Sequence, residues 1–368
     1  MTAAPEQVGR PLPRLPAPGR ISFPAHGWLG ALLRLVLALA ATIAVFAALI
    51  AALGENPLDA FEALWDGSVG EPWSNPFNFG QTVMIASLLI CTGLAAAIPF
   101  QARLWNVGGE GQLWFGAFTS VAVALTLPTG MAPWLAMALT VAAATVAGAF
   151  WGFIPGILKA TINANEVITS LMLVFIAIQI GNYAISTLFP SQSNQTESIP
   201  FAFELPNIWT GTLVTAGAPI AAGAAVLAWI LMSRTGLGFQ IRAVGLNANA
   251  ARMNGMSTGW VTVLAFTIGG AFGGLAGAIA VLGINGALIS GFSANFGFIG
   301  IAVALVARLN PVWILPSAFL FAALRTGSNG LQAATGISTS MGEVLVATFV
   351  ILLLAFRVIR MQYAEAAQ

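Results

Sequence analysis

Apolar stretches of about 20 residues recur along this chain of 368 residues, and they restrict its fold more than any other feature. A helix needs roughly 20 apolar residues to cross the hydrocarbon core of a bilayer. Only 7% of the residues are charged, against about 25% in ordinary soluble domains. The pattern predicts an all-α polytopic membrane protein of about ten spans, of which the eighth and ninth are short enough to be half-helices or a re-entrant pair. The spans are predicted at 30–53, 78–100, 113–128, 133–157, 166–188, 209–232, 258–283, 296–308, 311–325 and 341–357.

Charge and proline content divide the chain into three regions. Residues 1–29 contain six prolines and three arginines, which predicts a disordered, basic tail. A single transmembrane domain is predicted over 30–360, followed by a short C-terminal tail at 361–368. The segment 233–257 has three arginines and no acid, whereas 54–77 has five acids and no basic residue. Positively charged loops stay inside, so both termini and 233–257 are predicted to be cytoplasmic.

A polar strip, Arg103 to Gln112, interrupts the apolar pattern between the second and third spans. An unpaired carboxylate or unpaired backbone groups are costly in hydrocarbon, so the strip belongs at a membrane boundary or around an enclosed polar cavity. Asn106 and Glu110 are four residues apart and share one face if the strip is helical. Glu110 either lines a pathway or binds glycine N–H groups of the strip.

Asn165 and Glu166 form a second polar pair, at the start of the fifth span. The carboxylate of Glu166 is placed to complement the helix dipole, and it is also a candidate for a pathway residue. Both interpretations stay open from the sequence.

The basic segment 233–257 contains an alanine-rich stretch from Asn247 to Asn254. This stretch predicts two helical turns that end at Gly255. It is either a docking element for a cytosolic partner or a connecting loop whose charge only sets the orientation.

Glycines in the seventh span recur every four residues in two rows, Gly269, Gly273 and Gly277 in one, and Gly270 and Gly274 in the other. Small residues at this spacing let helices approach closely. The rows predict either tight packing inside one bundle or a dimer seam.

The residues needed for catalysis are missing from the sequence. The only lysine, Lys159, is followed by alanine and fits no phosphate-binding loop, and the chain has one histidine and one cysteine. No enzyme activity, metal site or cofactor is therefore predicted. An ion-coupled secondary transporter that uses Glu110 or Glu166 is the main alternative to a transport subunit without its own energy source, and a structural or assembly subunit is a third reading.

Four segments in order carry a resemblance to a known family: Leu104–Leu113, Asn165–Leu173, Ala243–Gly255, and Phe296–Leu305 followed by Arg308–Pro311. Over roughly Thr82 to Arg357 the chain resembles permease subunits of bacterial ATP-binding-cassette importers for simple sugars and nucleosides, the ribose and branched-chain-type superfamily. The glycine-rich strip looks like that of the longer permease of nucleoside systems, except that Trp105 stands where the family commonly has phenylalanine.

The resemblance implies inward transport of a nucleoside or simple sugar by alternating access, in the bacterial cytoplasmic (inner) membrane. It implies three partners: a second permease, a cytosolic ATPase with two cassettes that binds ATP and magnesium, and an extracytoplasmic binding lipoprotein. Pathway or gate residues are then expected at Asn106, Glu110, Gln112, Asn165 and Glu166. ATPase coupling is expected to involve Arg242, Asn247, Arg252 and Asn254.

Overall fold

A computed structural model describes residues 28–365 except 73–75, 129 and 192–193, with the backbone alone described at 28–35, 38 and 353–365. Residues 1–27, most of the predicted tail, lie outside the described residues. The described chain is almost entirely helical, with π-helical turns after α6 (184–188) and after α10 (281–285). Its α-helices are α1 (Trp28–Ala52), α2 (Pro57–Ser68), α3 (Phe77–Gln101), α4 (Gly109–Thr126), α5 (Pro133–Ile162), α6 (Glu166–Tyr183), α7 (Gly217–Arg234), α8 (Gly236–Leu246), α9 (Ala248–Met253), α10 (Thr258–Ala280), α11 (Phe296–Val306), α12 (Pro311–Thr335) and α13 (Ser340–Glu365).

The helices confirm an all-α polytopic membrane protein, and length and composition identify some of its spans. Within the described residues, α3, α5, α6, α7 and α10 are long and apolar enough to cross a membrane. A sixth span results if the sharply bent pair Leu39–Ala52 and Pro57–Ser68 counts as one broken crossing. Length and composition alone thus identify five or six spans among the described residues, whereas the ten predicted spans include short and broken ones.

The ninth predicted span, 311–325, is ten residues too short, because α12 continues to Thr335. The polar and glycine-rich residues after Arg325 are typical of a loop, yet they pack closely on α2. A Cβ on Gly327 would lie 2.5 Å from the Leu64 carbonyl oxygen, and one on Gly330 would lie 2.5 Å from that of Ala63. Tertiary packing overrides the local signal here, so α12 is a full-length helix and not a half-helix.

α3 and α10 form the centre of the bundle. In their most apolar windows 89% of α3 and 72% of α10 is buried, against 28% of α5. α10 packs on α3, α4 and α5, and α3 packs also on α7, α11 and α12. The main core therefore lies around these two helices, while α1 packs on α2 and α13 at the side.

Both glycine rows of α10 are used inside the chain. Gly269, Gly273 and Gly277 face α3 and α4, and a Cβ on Gly269 would lie 2.6 Å from a carbonyl oxygen of α3. Gly270 and Gly274 face α5 at similarly short range. The alternative of a dimer seam is therefore wrong, and tight packing within one bundle is correct.

Candidate functional site: the α4–α11 junction and the inner segment

The polar strip is only partly helical. α3 ends at Gln101 and α4 begins at Gly109, so Asn106 precedes α4. The Asn106 side-chain Oδ1 accepts a hydrogen bond from the Gly108 backbone N–H at 3.0 Å. Such a local bond favours a turn over a continuing helix, and the helical arrangement that would place Asn106 and Glu110 on one face does not form.

Asn106 and Gln112 form a reciprocal pair of carboxamides. Asn106 Nδ2 donates to Gln112 Oε1 at 3.3 Å, and Gln112 Nε2 donates to Asn106 Oδ1 at 3.2 Å. Asn106 Nδ2 also donates to the Ala95 carbonyl of α3 at 3.0 Å. Both side chains are buried. The pair therefore satisfies the polar groups of the strip and fastens it to α3.

The Glu110 carboxylate joins the first turn of α4 to the start of α11. Its Oε1 accepts a hydrogen bond from the Ser293 hydroxyl, and its Oε2 accepts one from the Gly297 backbone N–H at 2.7 Å. Trp114 Nε1 in turn donates to Ser293 Oγ at 2.9 Å. Glu110 is 2% exposed. Both carboxylate oxygens have donors, as burial of such a group requires.

Two helix N-terminal ends meet at this junction. Gly297 lies in the first turn of α11, and a Cβ there would overlap the backbone of Glu110. Because helix N-termini carry partial positive charge, a carboxylate between them is favoured. A glycine N–H does bind Glu110, but it belongs to another helix and not to the strip. Ser293, Gly297 and Trp114 were not predicted as members of this junction; the only local signal is Ser293 itself, a polar residue just before the eighth predicted span.

Asn165 and Glu166 lie at the turn between α5 and α6. Asn165 is exposed, and its Oδ1 accepts hydrogen bonds from the backbone N–H groups of Val167 at 3.0 Å and Ile168 at 3.3 Å, so it is the N-cap of α6. Glu166 Oε2 lies 3.1 Å from Lys159 Nζ at the end of α5. This pair therefore serves local helix ends.

The structure brings Asn106, Glu110 and Gln112 to one buried junction and leaves Asn165 and Glu166 outside it. The strip still touches α6, because the Val107 backbone N–H donates to the Ser170 hydroxyl at 3.3 Å. The two predicted sets are thus linked through the backbone of the strip and one serine of α6.

The segment 233–257 folds into α8 and α9. α9 confirms the two helical turns predicted between Asn247 and Asn254, and Gly255, with φ +81°, follows as the stop. Asn247 Oδ1 accepts a hydrogen bond from the Ala250 N–H at 3.0 Å and caps α9. α8 was not predicted, because its three glycines lower the helix propensity of the sequence. In the structure, close packing on neighbouring helices stabilises α8 in spite of these glycines.

The predicted coupling residues are distributed over both helices of this segment. Asn254 Nδ2 donates to the Ala250 carbonyl at 2.9 Å, and Arg252 Nη2 donates to Thr258 Oγ1 at 3.3 Å. Arg252 and Asn254 are exposed on α9, whereas Arg242 on α8 is half-buried. Arg252 and Asn254 therefore make local hydrogen bonds around α9, and Arg242 lies in a more buried position on α8.

Arg242 lines a groove of about 630 Å³ at this end of the bundle, which we name the arginine groove. It lies between the C-terminal ends of α3, α7 and α11, the start of α12, and α8. Its polar lining residues are Gln101, Arg103, Ser233, Arg242, Arg308 and Asn310.

A bundle of long apolar helices with polar groups buried at its helix junctions is typical of a multi-pass membrane protein. The branched-chain amino acid transport system / permease component family matches residues 78–355. The chain belongs to this family, and it is a transport subunit rather than an enzyme.

Characterised relatives cover most of the chain. The glucose ABC transporter permease protein TsgB13 of Haloferax volcanii is 33% identical over 87% of this chain and 86% of its own length. The guanosine ABC transporter permease protein NupP of Bacillus subtilis is 34% identical over 83% and 88%, respectively. The nucleoside ABC transporter permease protein NupB of Lactococcus lactis is 33% identical over 83% and 85%. No solved structure matches the chain.

Proposed function

We propose that this chain is a permease subunit of an ATP-binding-cassette importer that moves a nucleoside or a simple sugar inward by alternating access. The observation that carries the proposal is the similarity, at 33–34% identity over more than four fifths of the chain, to permeases named for glucose, guanosine and nucleosides. These solutes share ring hydroxyls and neutral polar groups, which carboxamides and aromatic rings can bind. The same similarity favours an ATP-driven system over an ion-coupled one.

The exposed face of α6 carries polar residues in a membrane-spanning helix. Gln179 is exposed in the middle of a helix long enough to span a membrane, and Asn182 Nδ2 donates to its Oε1 at 3.2 Å. Phe175 and Tyr183, four residues to either side of Gln179, are 56% and 55% exposed. A carboxamide that faces lipid is unfavourable, so we assign this face to a polar path or to a second subunit.

The second permease is proposed to be a different chain. Bacillus subtilis has two similar permeases, NupP at 34% and NupQ at 25% identity, and Lactococcus lactis has NupB at 33% and NupC at 28%. This chain is more similar to the first of each pair, so it takes that position in a heterodimer. A cytosolic ATPase with two cassettes, which binds ATP and magnesium, and an extracytoplasmic binding lipoprotein complete the proposed assembly.

The α8–α9 segment is proposed as the contact with the ATPase. Two large apolar side chains there are strongly exposed, Leu246 at 77% and Met253 at 89%. Exposed apolar side chains next to arginines suit a protein partner on the cytoplasmic side. Arg242, Asn247, Arg252 and Asn254 would then transmit the motion of the ATPase. The positive charge favours a cytoplasmic position for this segment and for both termini.

The five predicted pathway residues are proposed to shape the gate. Asn106, Glu110 and Gln112 are buried with their hydrogen bonds made inside the chain, so they hold the α4–α11 junction. Asn165 and Glu166 fix the start of α6, the helix that carries the exposed Gln179. The gate would then be set by the positions of these helix ends.

Reconstituted uptake tests the proposal. Proteoliposomes that contain this chain, the second permease, the ATPase and the lipoprotein are expected to take up labelled guanosine or glucose only with ATP. Uptake by this chain alone under a proton or sodium gradient would instead establish the ion-coupled alternative.

Coupling is tested in the same vesicles. Arg242→Glu and Arg252→Glu are expected to retain ATP hydrolysis and lose uptake, while Arg234→Glu, an exposed arginine of the same segment, keeps both. Normal uptake by the first two variants would remove α8–α9 from the coupling pathway.

A further inference from the structure

The arginine groove carries positive charge that no acid among its described lining residues balances. Arg103, Arg242 and Arg308 line it, and the other described lining residues are neutral. The C-terminal ends of three helices open on it, and each contributes roughly half a negative charge. Three guanidinium groups exceed that sum, so the groove favours an anion.

Arg103 and Arg308 occupy a backbone position that usually belongs to glycine. Their φ angles are +57° and +54°, in the left-handed region, and each follows the last residues of a helix, α3 and α11. The next residue closes the turn in both cases: the Leu104 N–H donates to the Pro99 carbonyl at 3.1 Å, and the Leu309 N–H to that of Ala304 at 2.8 Å. These are two Schellman caps with arginine in place of glycine.

The two caps also share a tripeptide, alanine-arginine-leucine, at 102–104 and at 307–309. A left-handed backbone is unfavourable for a residue that has a Cβ atom. Glycine would serve either cap better, so the guanidinium group has a use other than ending the helix. Both arginines are exposed.

The two turns are fastened to one another. Gln101 Nε2 donates to the Leu309 carbonyl oxygen at 2.8 Å, which links the end of α3 to the end of α11. Gly245 of α8 packs directly on the Gln101 backbone. Arg103 and Arg308 therefore lie on the same wall of the groove, in two turns that are hydrogen-bonded to one another.

The surroundings of the groove are typical of the membrane interface. Trp229 lines it and is 37% exposed, and Trp313 at the start of α12 is 63% exposed. Tryptophan is enriched at the depth of lipid headgroups. Phe100, Met232 and Leu246 add apolar lining beside the arginines. Cationic and apolar groups side by side match a phospholipid, whose phosphate and acyl chains adjoin, better than they match a soluble anion.

We propose that the arginine groove binds the phosphate of an anionic phospholipid through Arg103 and Arg308, with the acyl chains beside Trp229 and Phe100. The lipid would link the ends of α3 and α11 with α8, the first helix of the segment 233–257. This binding requires neither the solute nor the partner subunits.

Lipid titration of the purified chain in detergent, followed by native mass spectrometry, tests the proposal. Phosphatidylglycerol is expected to bind more tightly than phosphatidylcholine. The double variant Arg103→Gly with Arg308→Gly is expected to bind phosphatidylglycerol roughly 30-fold more weakly, from two lost cationic contacts. Glycine suits both left-handed positions, so the melting temperature of this variant should be at least that of the parent.

Matched variants separate charge from other effects. Arg103→Lys with Arg308→Lys keeps the charge and is expected to keep most of the preference for phosphatidylglycerol. Arg252→Gln removes an exposed arginine outside the groove and is expected to leave lipid binding unchanged.

Four results would overturn the proposal. Equal binding of both lipids by the parent, or undiminished binding by the glycine double variant, removes the site. Competition by inorganic phosphate without any preference between the lipids assigns the groove to a soluble anion. Protection of Arg103 and Arg308 from chemical modification by the ATPase, but not by phosphatidylglycerol, assigns it to an acidic protein surface.

Discussion

Two polar motifs of this chain look alike in sequence and behave differently in the structure. Asn106 with Glu110, and Asn165 with Glu166, each place a carboxamide just before an apolar helix and a carboxylate in its first turn. In the first motif the carboxylate is 2% exposed and binds groups of α11 and the turn before it. In the second the carboxamide caps its own helix, and the carboxylate pairs with the end of the preceding helix.

The difference lies in where the partners come from. Ser293 and Gly297 are more than 180 residues from Glu110 along the chain, whereas Lys159 is seven residues from Glu166. A buried polar group that loses a distant partner leaves unsatisfied groups in the core, whereas an exposed one is solvated by water. Substitutions in the two motifs should therefore change the free energy of unfolding by different amounts, and four predictions test this.

The largest effect is expected for Glu110→Ala. It removes the acceptor of the Ser293 hydroxyl and of the Gly297 N–H, at a cost of roughly 1–3 kcal/mol for each unsatisfied buried group. Urea unfolding of the purified protein in detergent measures the loss. The control is Glu343→Ala, whose carboxylate is 68% exposed and lies 3.7 Å from Arg325; equal unfolding midpoints for the two variants would remove the distinction.

Gly297→Ala comes next and tests the close approach of α4 and α11. The added methyl group would overlap the Glu110 backbone, and overpacking of this kind costs about 1–3 kcal/mol. Gly223→Ala on α7 is the matched control, because nothing lies within 4 Å of a Cβ there and helix propensity rises. Thermal melts should shift in opposite directions, and a shared direction would contradict the proposed contact.

Asn165→Ala should destabilise by about 1 kcal/mol, through loss of the N-cap of α6. Asn165→Asp keeps the acceptor and adds a negative charge at a helix N-terminus, so it should match or exceed the parent in melting temperature. If alanine and aspartate behaved alike, Asn165 would have a role other than capping.

The smallest effect is expected for Glu166→Gln, about 0.2–1 kcal/mol, because the side chains of Lys159 and Glu166 keep 26% and 14% of their surface exposed and water can replace the lost ion pair. A double-mutant cycle with Lys159→Met isolates the coupling free energy, which should decrease as salt concentration rises. A coupling free energy above about 1 kcal/mol that does not change with salt would show that Glu166 behaves as a buried carboxylate, as Glu110 does.

The positions where helices begin can be predicted well from the sequence. The predicted first residue of α5, α6, α10, α11 and α12 agrees with the structure, since prolines, asparagines and glycines mark helix ends. The end of α12 and the whole of α8 could not be predicted, because glycines and polar residues there are stabilised by packing on other helices. The partners of Glu110 were missed for the same reason: no local pattern specifies contacts across so many residues.

The glycine rows of α10 bear on how the transport cycle can proceed. Glycines of α10 bring its backbone into contact with the backbones of α3, α4 and α5, so few side chains at these contacts can change rotamer to accommodate sliding or rotation. We expect these four helices to move as one block. α6 also meets α4 closely, at Gly111, whereas α7 meets the block at Gly217 through the side chains of Ile279 and Met84. The hinges of the proposed alternating-access cycle are therefore expected outside the block, at helices such as α7.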